Sequence, residues 1–256
     1  MSTEVRRAEA PAGSEAADWW SVSLGRLREW DAAWAEQSLA MTSDPWTEGI
    51  LPVKFVELVS IGLHATQSGL NQGAMRHHVR AAIAAGASRQ ELLFVLKCAS
   101  VMAIHACSAV APVLLQEASA SSLEDFGQVR AKRLERIGQA TPSVEKMKAI
   151  GQWNDDFDSL LFLAPKWVEQ YMKLCIELYQ ESVLPPKELE LLLIAFNAPH
   201  TSSSGTYTRH HIKRAFRAGA TTDEIMQVMK LNVAQRIEAC HATLKILAEE
   251  LEGSPR

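Results

Sequence analysis

The sequence lacks the signals of several common classes of protein. It has no Cys-x2-Cys pair, and its four cysteines do not follow metal-ligand spacing, which argues against a thiolate metal site. It has no run of Lys and Arg, and its net charge is -4, which argues against nucleic acid as a partner. Residues 1–18 lack the apolar stretch of a signal peptide, so we expect a disordered lead-in, a cytoplasmic location and reduced thiols.

Signals for β-strands and for membrane spans are also weak. The sequence has no Asn-Gly or Asp-Gly hairpin turn and no sustained alternation of apolar and polar residues. One apolar run, 98–115, approaches the length of a membrane span, but His105, Pro112 and its many small residues favour a helix buried within the protein. With 47% hydrophobic and 22% charged residues, the composition is that of a globular protein. We therefore expect an all-α protein with no membrane partner.

The sequence contains a long internal repeat. Residues 51–107 align with residues 184–240 without a gap, at an offset of 133 and with 20 identities in 57 positions. This period exceeds the roughly 20–50 residues of solenoid repeats, so it indicates two tandem domains. We predict a first module over 19–116, a connector over 117–150 and a second module over 151–250.

Each copy has the pattern of three helices. Gly86 and Gly219 are placed to end the second helix in the left-handed conformation. Ser88 and Thr221 follow, each with a glutamate three residues later, which predicts a capping box at the start of the third helix. In the first copy we expect this third helix to run without a break over about 90–116.

The candidate catalytic residues are two pairs that the repeat preserves. Glu57 precedes His78 by 21 residues, and Glu190 precedes His211 by the same number. A helical hairpin can bring each pair side by side, and a carboxylate fixes the tautomer of an imidazole and raises its basicity, which suits general acid–base catalysis. The candidate residues for holding an anionic substrate come directly before the histidines: Arg76, His77, Arg209 and His210.

These residues also allow a structural interpretation. Adjacent residues on a helix point about 100° apart, so one histidine of each adjacent pair can be buried while the other is solvated. Glu57 can equally be a helix-surface charge, the two arginines ordinary surface residues, and a duplicated fold retains structural residues as well as catalytic ones. The repeat therefore selects the residues without deciding their role.

The repeated core resembles a known family. The pattern His-x3-Ala-x3-Gly-Ala-[Ser/Thr]-x2-Glu-[Leu/Ile] occurs at 78–92 and at 211–225, and each copy opens with Pro-x4-Glu-Leu at 52–58 and 185–191. Both are similar to the carboxymuconolactone decarboxylase/AhpD-like superfamily. The resemblance implies small helical bundles that assemble as trimers or hexamers, with the site around the motif histidine. We therefore expect two such modules and a homo-oligomer, a trimer of two-module chains.

The resemblance also implies a choice between two chemistries. The AhpD branch needs Cys-x2-Cys just before the motif histidine, but those positions hold Asn71 and Ala74 in one copy, Ser204 and Tyr207 in the other. Without thiolates there, the disulfide-forming cycle cannot run. The decarboxylase branch lacks these cysteines and uses acid–base chemistry on a lactone acid. We therefore expect a cofactor-free lyase or isomerase that acts on a small organic acid or lactone.

Two other functions stay open from the sequence. One is thiol redox or peroxidase activity through Cys107 or Cys240, which the repeat duplicates, although we expect both thiols to be buried. The other is a binding or assembly protein that has kept the fold and lost its chemistry.

A metal site is a third option, because the first copy is rich in histidine. His64, His78 and His105 could gather there with Glu57, whereas the second copy has Asn197 at the position of His64 and Glu238 at that of His105. Two histidines four residues apart on one helix, the most persuasive spacing for a helical metal site, are absent. We therefore predict no metal and no cofactor.

Overall fold

The chain folds into packed helices. The computed structural model describes residues 24–66, 71–120, 141–198 and 206–253, within which there are helices and no β-strand. The helices, numbered in chain order, are α1 (Ala32–Thr47), α2 (Val53–Ala65), α3 (Gln72–Ala84), α4 (Arg89–Val101), α5 (Ile104–Ala120), α6 (Pro142–Ala149), α7 (Asp158–Leu163), α8 (Pro165–Gln180), α9 (Pro186–Asn197), α10 (Thr206–Arg217) and α11 (Thr222–Gly253). Residues 24–30 are also helical. The all-α prediction is confirmed.

The helix bounds follow the internal repeat. Adding 133 to the bounds of α1 gives those of α8, and the run from the start of α4 to the end of α5 corresponds in the same way to α11. The leading helices α1 and α8 therefore share the offset that the sequence displays only from residue 51 onward. The lead-in 1–18 and residues 121–140 of the connector lie outside the described residues, and the division into modules stays a prediction.

The predicted helix ends are confirmed in both copies. Ser88 and Glu91 exchange both hydrogen bonds of a capping box, and Thr221 and Glu224 do the same. The glycines that end α3 and α10 have positive φ, 89° at Gly86 and 87° at Gly219, so a left-handed residue closes each helix. The same turns in both copies set the angle between the second and third helices.

The third helix of the first copy departs from the expectation of one unbroken helix. It breaks into α4 and α5 because the hydroxyl of Tyr171, on α8, donates to the carbonyl of Val101. The amide of His105, which would bond to Val101 in a continuous helix, donates instead to the Met102 carbonyl at 3.2 Å. The position in the first copy that matches Tyr171 is Ser38 on α1, and its short side chain bonds within α1. Ser38 therefore does not bond to a carbonyl of α11, and α11 continues as one unbroken helix.

The central helices α2 and α9 pack against each other at close range. Gly62 on α2 makes this possible, because a Cβ atom there would lie only 1.9 Å from the ring carbon Cζ of Phe196 on α9. The Phe196 side chain is fully buried, so the ring has no solvent to move into. One hydrophobic core runs across this contact; its largest fully buried members are Phe55, Leu58, Ile61, Leu63, Leu191, Leu192, Ile194, Phe196 and Leu231.

The outer helices connect the two halves crosswise. Helix α1, which leads the first copy, packs against α11, the third helix of the second copy, and α8 packs against α4 in the corresponding way. Helix α11 also contacts both central helices. Each half therefore supplies its third helix to the surroundings of the other half.

The apolar run of the third helix remains partly exposed. Within the described residues, Arg89–Ala120 is long and apolar enough to cross a membrane by length and composition. Its 18-residue apolar window has a mean hydropathy of 1.9, and 39% of that window is buried. The structure divides it between α4 and α5. Val110, Val113 and Leu114 on α5 are more than half exposed in the single chain. The homo-oligomer that would cover such a surface stays a prediction.

The substitution Gly62→Ala tests the close packing of α2 against α9. We expect it to lower the free energy of unfolding by about 1–3 kcal/mol, because the added methyl group forces the buried Phe196 ring or the helices apart. Denaturant unfolding followed by circular dichroism measures this. The matched control is Gly25→Ala. Gly25 is also helical, but a Cβ atom there would have no other atom within 4 Å. Equal stability of Gly62→Ala and the wild type would contradict the close contact.

Candidate functional site

The Glu–His pair of the first copy is assembled as its spacing predicts. Helix α2 carries Glu57 and α3 carries His78, and Nδ1 of His78 lies 2.7 Å from Oε2 of Glu57. A carboxylate only accepts, so Nδ1 carries the proton that it donates. The other oxygen of Glu57 accepts from the indole N–H of Trp46 at 2.6 Å. Both Glu57 oxygens are thus engaged, and the imidazole is held in one orientation.

The first-copy imidazole is occupied on its second nitrogen as well. Nε2 of His78 lies 3.1 Å from Oε2 of Glu238 on α11, and Nε2 of His64 lies 2.8 Å from the same oxygen. Burial lowers the pKa of His78, but the Glu238 carboxylate, and then Glu57, more than offset this and raise it to about 10. Two imidazoles and two carboxylates therefore form one buried group around His78.

The second-copy pair has the same core with different surroundings. Nδ1 of His211 lies 2.8 Å from Oε2 of Glu190, and Nε of Arg214 donates to the other Glu190 oxygen at 2.6 Å. Burial raises the pKa of Glu190, but His211 and Arg214 more than offset this, so the net shift is downward. The first copy has Ala81 where Arg214 stands, so the arginine is particular to this half.

A cavity of about 70 Å³ lies beside the second-copy pair. One water needs about 10–15 Å³ by the same kind of measure, so the cavity can hold several waters or a small organic molecule. His210 and His211 from the second copy line it together with His105 from the first copy. The remaining wall is largely apolar and includes Met102, Ile104, Phe157, Met172, Leu189 and Leu193.

Gln152 joins this cavity to the Glu190 carboxylate. In the amide orientation that satisfies both of its atoms, its nitrogen donates to Nε2 of His210 at 3.1 Å and to the hydroxyl of Tyr179 at 3.2 Å. Its oxygen then accepts from Nη2 of Arg214 at 2.8 Å. Burial, and then the positive charges of His211 and Arg214, lower the pKa of His210 to about 4. His210 is therefore neutral at physiological pH and accepts this hydrogen bond.

Comparison with known proteins shows what the chain is similar to. Residues 165–248, most of the second module, match the model of the carboxymuconolactone decarboxylase family. A crystal structure from Burkholderia xenovorans LB400, provisionally assigned as a gamma-carboxymuconolactone decarboxylase subunit, shares the fold. It is 23% identical, with a TM-score of 0.71, over 91% of this chain and 92% of that one. No curated protein is significantly similar.

The family match covers about a third of the chain, and the structure that is 23% identical shows a likeness of fold. The family match falls on the second copy, and the internal repeat relates the first copy to it. This likeness does not by itself name a reaction or a substrate.

The remaining predicted site residues are distributed unevenly. Arg76 and Arg209 are exposed and do not line the cavity. His77 stands edge-on to His78, with ring centroids 5.2 Å apart. Of the predicted substrate-binding residues, the structure brings His210 to the cavity. The roles assigned to all four stay predictions.

Several residues of the two sites were not singled out from the sequence. Arg214 and Gln152 contact the second pair, and Trp46 fixes the first. Gln152 could not be found through the repeat, because it precedes the segment, 184–240, over which the two copies align. The repeat did contain a signal for Glu238. The segments 104–107 and 237–240 are identical except that the first has His105 where the second has Glu238.

The duplicated cysteines are exposed, which corrects the expectation that they are buried. Cys107 and Cys240 are both exposed, whereas Cys98 is buried and Cys175 is partly buried, and the last two line the cavity. The reason is helical phase: in α5 the inward positions are His105, Ser108 and Ala111, so Cys107 points away from the core.

Thiol labelling tests this arrangement and the redox alternative. Burial raises the pKa of Cys98 and of Cys175 to about 12, so neither forms an appreciable amount of reactive thiolate. We expect a chromogenic disulfide reagent to label Cys107 and Cys240 quickly in the native protein and the other two only after denaturation. The variant with Cys107→Ser and Cys240→Ser should show no fast thiol. Fast labelling of that variant would contradict the assignment.

The neutral state of His210 predicts a pH effect on stability. An unfolded histidine takes up a proton near 6.5, whereas folded His210 does so near 4. Between these values the unfolded state binds more protons, so this group makes stability fall as pH falls from about 6.5 to about 4. We expect His210→Gln to reduce that fall when urea unfolding is measured across this range. An unchanged pH slope would show that His210 is protonated in the folded state.

Proposed function

We propose that the protein is a cofactor-free lyase or isomerase of the decarboxylase type, acting on a small organic acid at the cavity of the second module. The observation that carries this proposal is the position of His211, held at Nδ1 by Glu190 and lining the cavity. A general acid or base must reach the reacting atom and keep a fixed orientation. In the proposal, His211 meets both requirements.

The first module supports this choice by contrast. His78 keeps its Glu57 partner, but its second nitrogen contacts Glu238 and its side chain is about 1% exposed. An imidazole with both nitrogens engaged by carboxylates has no position left for substrate. The proposal therefore assigns turnover to His211 and gives His78 another role.

The proposed step is proton delivery coupled to loss of a carboxylate. The bond between the carboxylate and the substrate carbon breaks, carbon dioxide leaves, and the electron pair stays on the substrate as an enolate. Protonated His211 then gives its Nε2 proton to that carbon and becomes neutral. Glu190 stabilises the charged ring before transfer, and Arg214 keeps Glu190 ionised and in place. The next proton comes from solvent.

The walls of the cavity support a small acid as substrate. The apolar lining suits a carbon skeleton, while His210 and Gln152 offer polar contacts near His211. The volume of about 70 Å³ is far below the roughly 300–1,000 Å³ of cavities that take drug-sized ligands. In this conformation only a molecule of a few non-hydrogen atoms fits, so a small organic acid is a better candidate than a large lactone.

Substitution of the proposed acid–base residue tests the function. A panel of small 3-oxo acids and lactone acids is incubated with the protein in deuterated water, and carbon dioxide release and deuterium incorporation are followed. We expect His211→Gln to reduce turnover about 10²–10⁴-fold, since that is the typical contribution of a general acid–base. Added imidazole should restore part of the rate, because it replaces the lost proton donor.

The control for this experiment is Lys213→Gln, an exposed position on the same helix. It should turn over substrate like the wild type, and circular dichroism checks that both variants fold. Undiminished turnover in His211→Gln would contradict the proposed mechanism. Saturable binding of an acid without any turnover by the wild type would favour the binding-protein alternative.

A further inference from the structure

A second polar cluster lies in the other half of the molecule, away from the proposed reaction. It consists of His64 on α2, His78 on α3 and Glu238 on α11, and each of these residues is at most 4% exposed. Within the described residues, these are the side chains that could gather around one metal ion, with their donor atoms all within 4.8 Å of one another. The ligands come from both halves of the chain.

The spacing of the donor atoms suits a bound ion. Histidine nitrogen and carboxylate oxygen bind zinc at about 2.0–2.2 Å, which places neighbouring ligands of a tetrahedral site about 3.3–3.6 Å apart, so the donors would separate by a few tenths of an ångström around the ion. Oε2 of Glu238 lies 2.8 Å from Nε2 of His64 and 3.1 Å from Nε2 of His78. Both imidazoles present the same nitrogen to the same oxygen, with their rings stacked at 5.4 Å.

The surroundings of His78 add the outer contacts that metal-binding histidines have. A ligating histidine almost always donates its other N–H to a carboxylate, a carbonyl or water, which fixes the ring and its tautomer. Nδ1 of His78 donates to Glu57, and Glu57 is in turn fixed by Trp46. Nε2 of His78 is thereby aimed at the cluster.

The charge of the cluster also favours a divalent cation. Glu57 and Glu238 bring two carboxylates into a buried space, and both form ion pairs with imidazoles. A bound divalent ion would take the place of the protons that hold the imidazoles against these carboxylates. One divalent ion restores neutrality without a proton on either Nε2. Imidazole nitrogen selects transition metals over magnesium and calcium, which prefer oxygen.

The repeat shows that this donor set is particular to one side of the molecule. The positions that correspond to His64, His78 and Glu238 are Asn197, His211 and His105. Nδ2 of Asn197 donates to the Leu193 carbonyl at 2.8 Å, within its own helix. The same fold therefore has a closed cluster around His78, where all three donors are present, and a cavity beside His211, where two of the three are replaced.

We propose that His64, His78 and Glu238 bind one divalent transition-metal ion, which links α2 and α3 of the first module to α11 of the second. Glu57 is the positioning residue that orients His78. This inference does not depend on the proposed lyase activity, because its site and its measurement are separate from the cavity.

Metal content and metal-dependent stability test the proposal on the full chain. A chelator removes metal from the protein, and zinc or cobalt is then added. The bound metal is measured by inductively coupled plasma mass spectrometry. We expect one ion per chain and a higher melting temperature with zinc, and no change with magnesium. Cobalt should give visible absorption bands, because nitrogen ligands alter its d–d spectrum.

The ligand variants are chosen from the repeat itself. His64→Asn introduces the residue that the second copy has at the same place, and Glu238→Gln removes the charge with little change of shape. Each should weaken zinc binding by at least about 100-fold, since outer contacts alone are worth about 10–100-fold. The matched control, His77→Asn, removes a neighbouring imidazole that is not a ligand and should bind zinc like the wild type.

Three results would overturn the proposal. They are no stoichiometric zinc or cobalt in the stripped and reloaded wild type, equal affinity in the wild type and His64→Asn, or a loss in His77→Asn as large as in the ligand variants. If the ligand variants fail to fold, X-ray absorption of the zinc-loaded wild type decides. Two imidazole ligands support the site, and fewer than two reject it. If the metal site is rejected, the cluster is a set of ion pairs between histidines and glutamates.

Discussion

The contact between α2 and α9 is the constraint on which the rest of the structure depends. Each helix carries the glutamate of one Glu–His pair, and each is buried almost along its whole length. The missing side chain at Gly62 lets Phe196 fill the space between them. This close approach fixes where Glu57 and Glu190 lie relative to each other, and so where the helices that complete each site must pack. A looser contact would move both carboxylates away from partners that hydrogen bonds hold at 2.7–2.8 Å.

The two sites show how one arrangement supports different chemistry. Both contain a buried Glu–His pair with nearly equal geometry, yet the third helix that reaches each pair brings Glu238 to one and His105 to the cavity beside the other. A carboxylate draws the imidazoles together into a closed ionic group. A second imidazole leaves open space, into which Gln152 and the apolar side chains project. Two exchanges between the copies, His64 for Asn197 and Glu238 for His105, thus accompany the difference between a cluster and a cavity.

The sequence predicts what is local or repeated and misses what the packing of the halves creates. The helices, the glycine ends and the 21-residue spacing of each pair follow from short-range rules, and the structure agrees with them. Glu238 meets His64 across 174 residues, and Tyr171 meets Val101 across 70, so no local pattern contains either contact. The sequence groups His105 with His64 and His78, because these residues belong to one copy, whereas the structure brings Glu238 of the other copy to them.

The crosswise packing of the third helices has a consequence for the origin of the chain. In this chain the third helix of each copy carries one residue, His105 or Glu238, to the pair or cavity of the other copy. A protein with a single module would complete its site in this way only with a second copy, so both sites would stay identical. Joining two copies in one chain removes that identity. The residue that serves each site is then encoded separately, and one site can lose or change its function while the other is preserved.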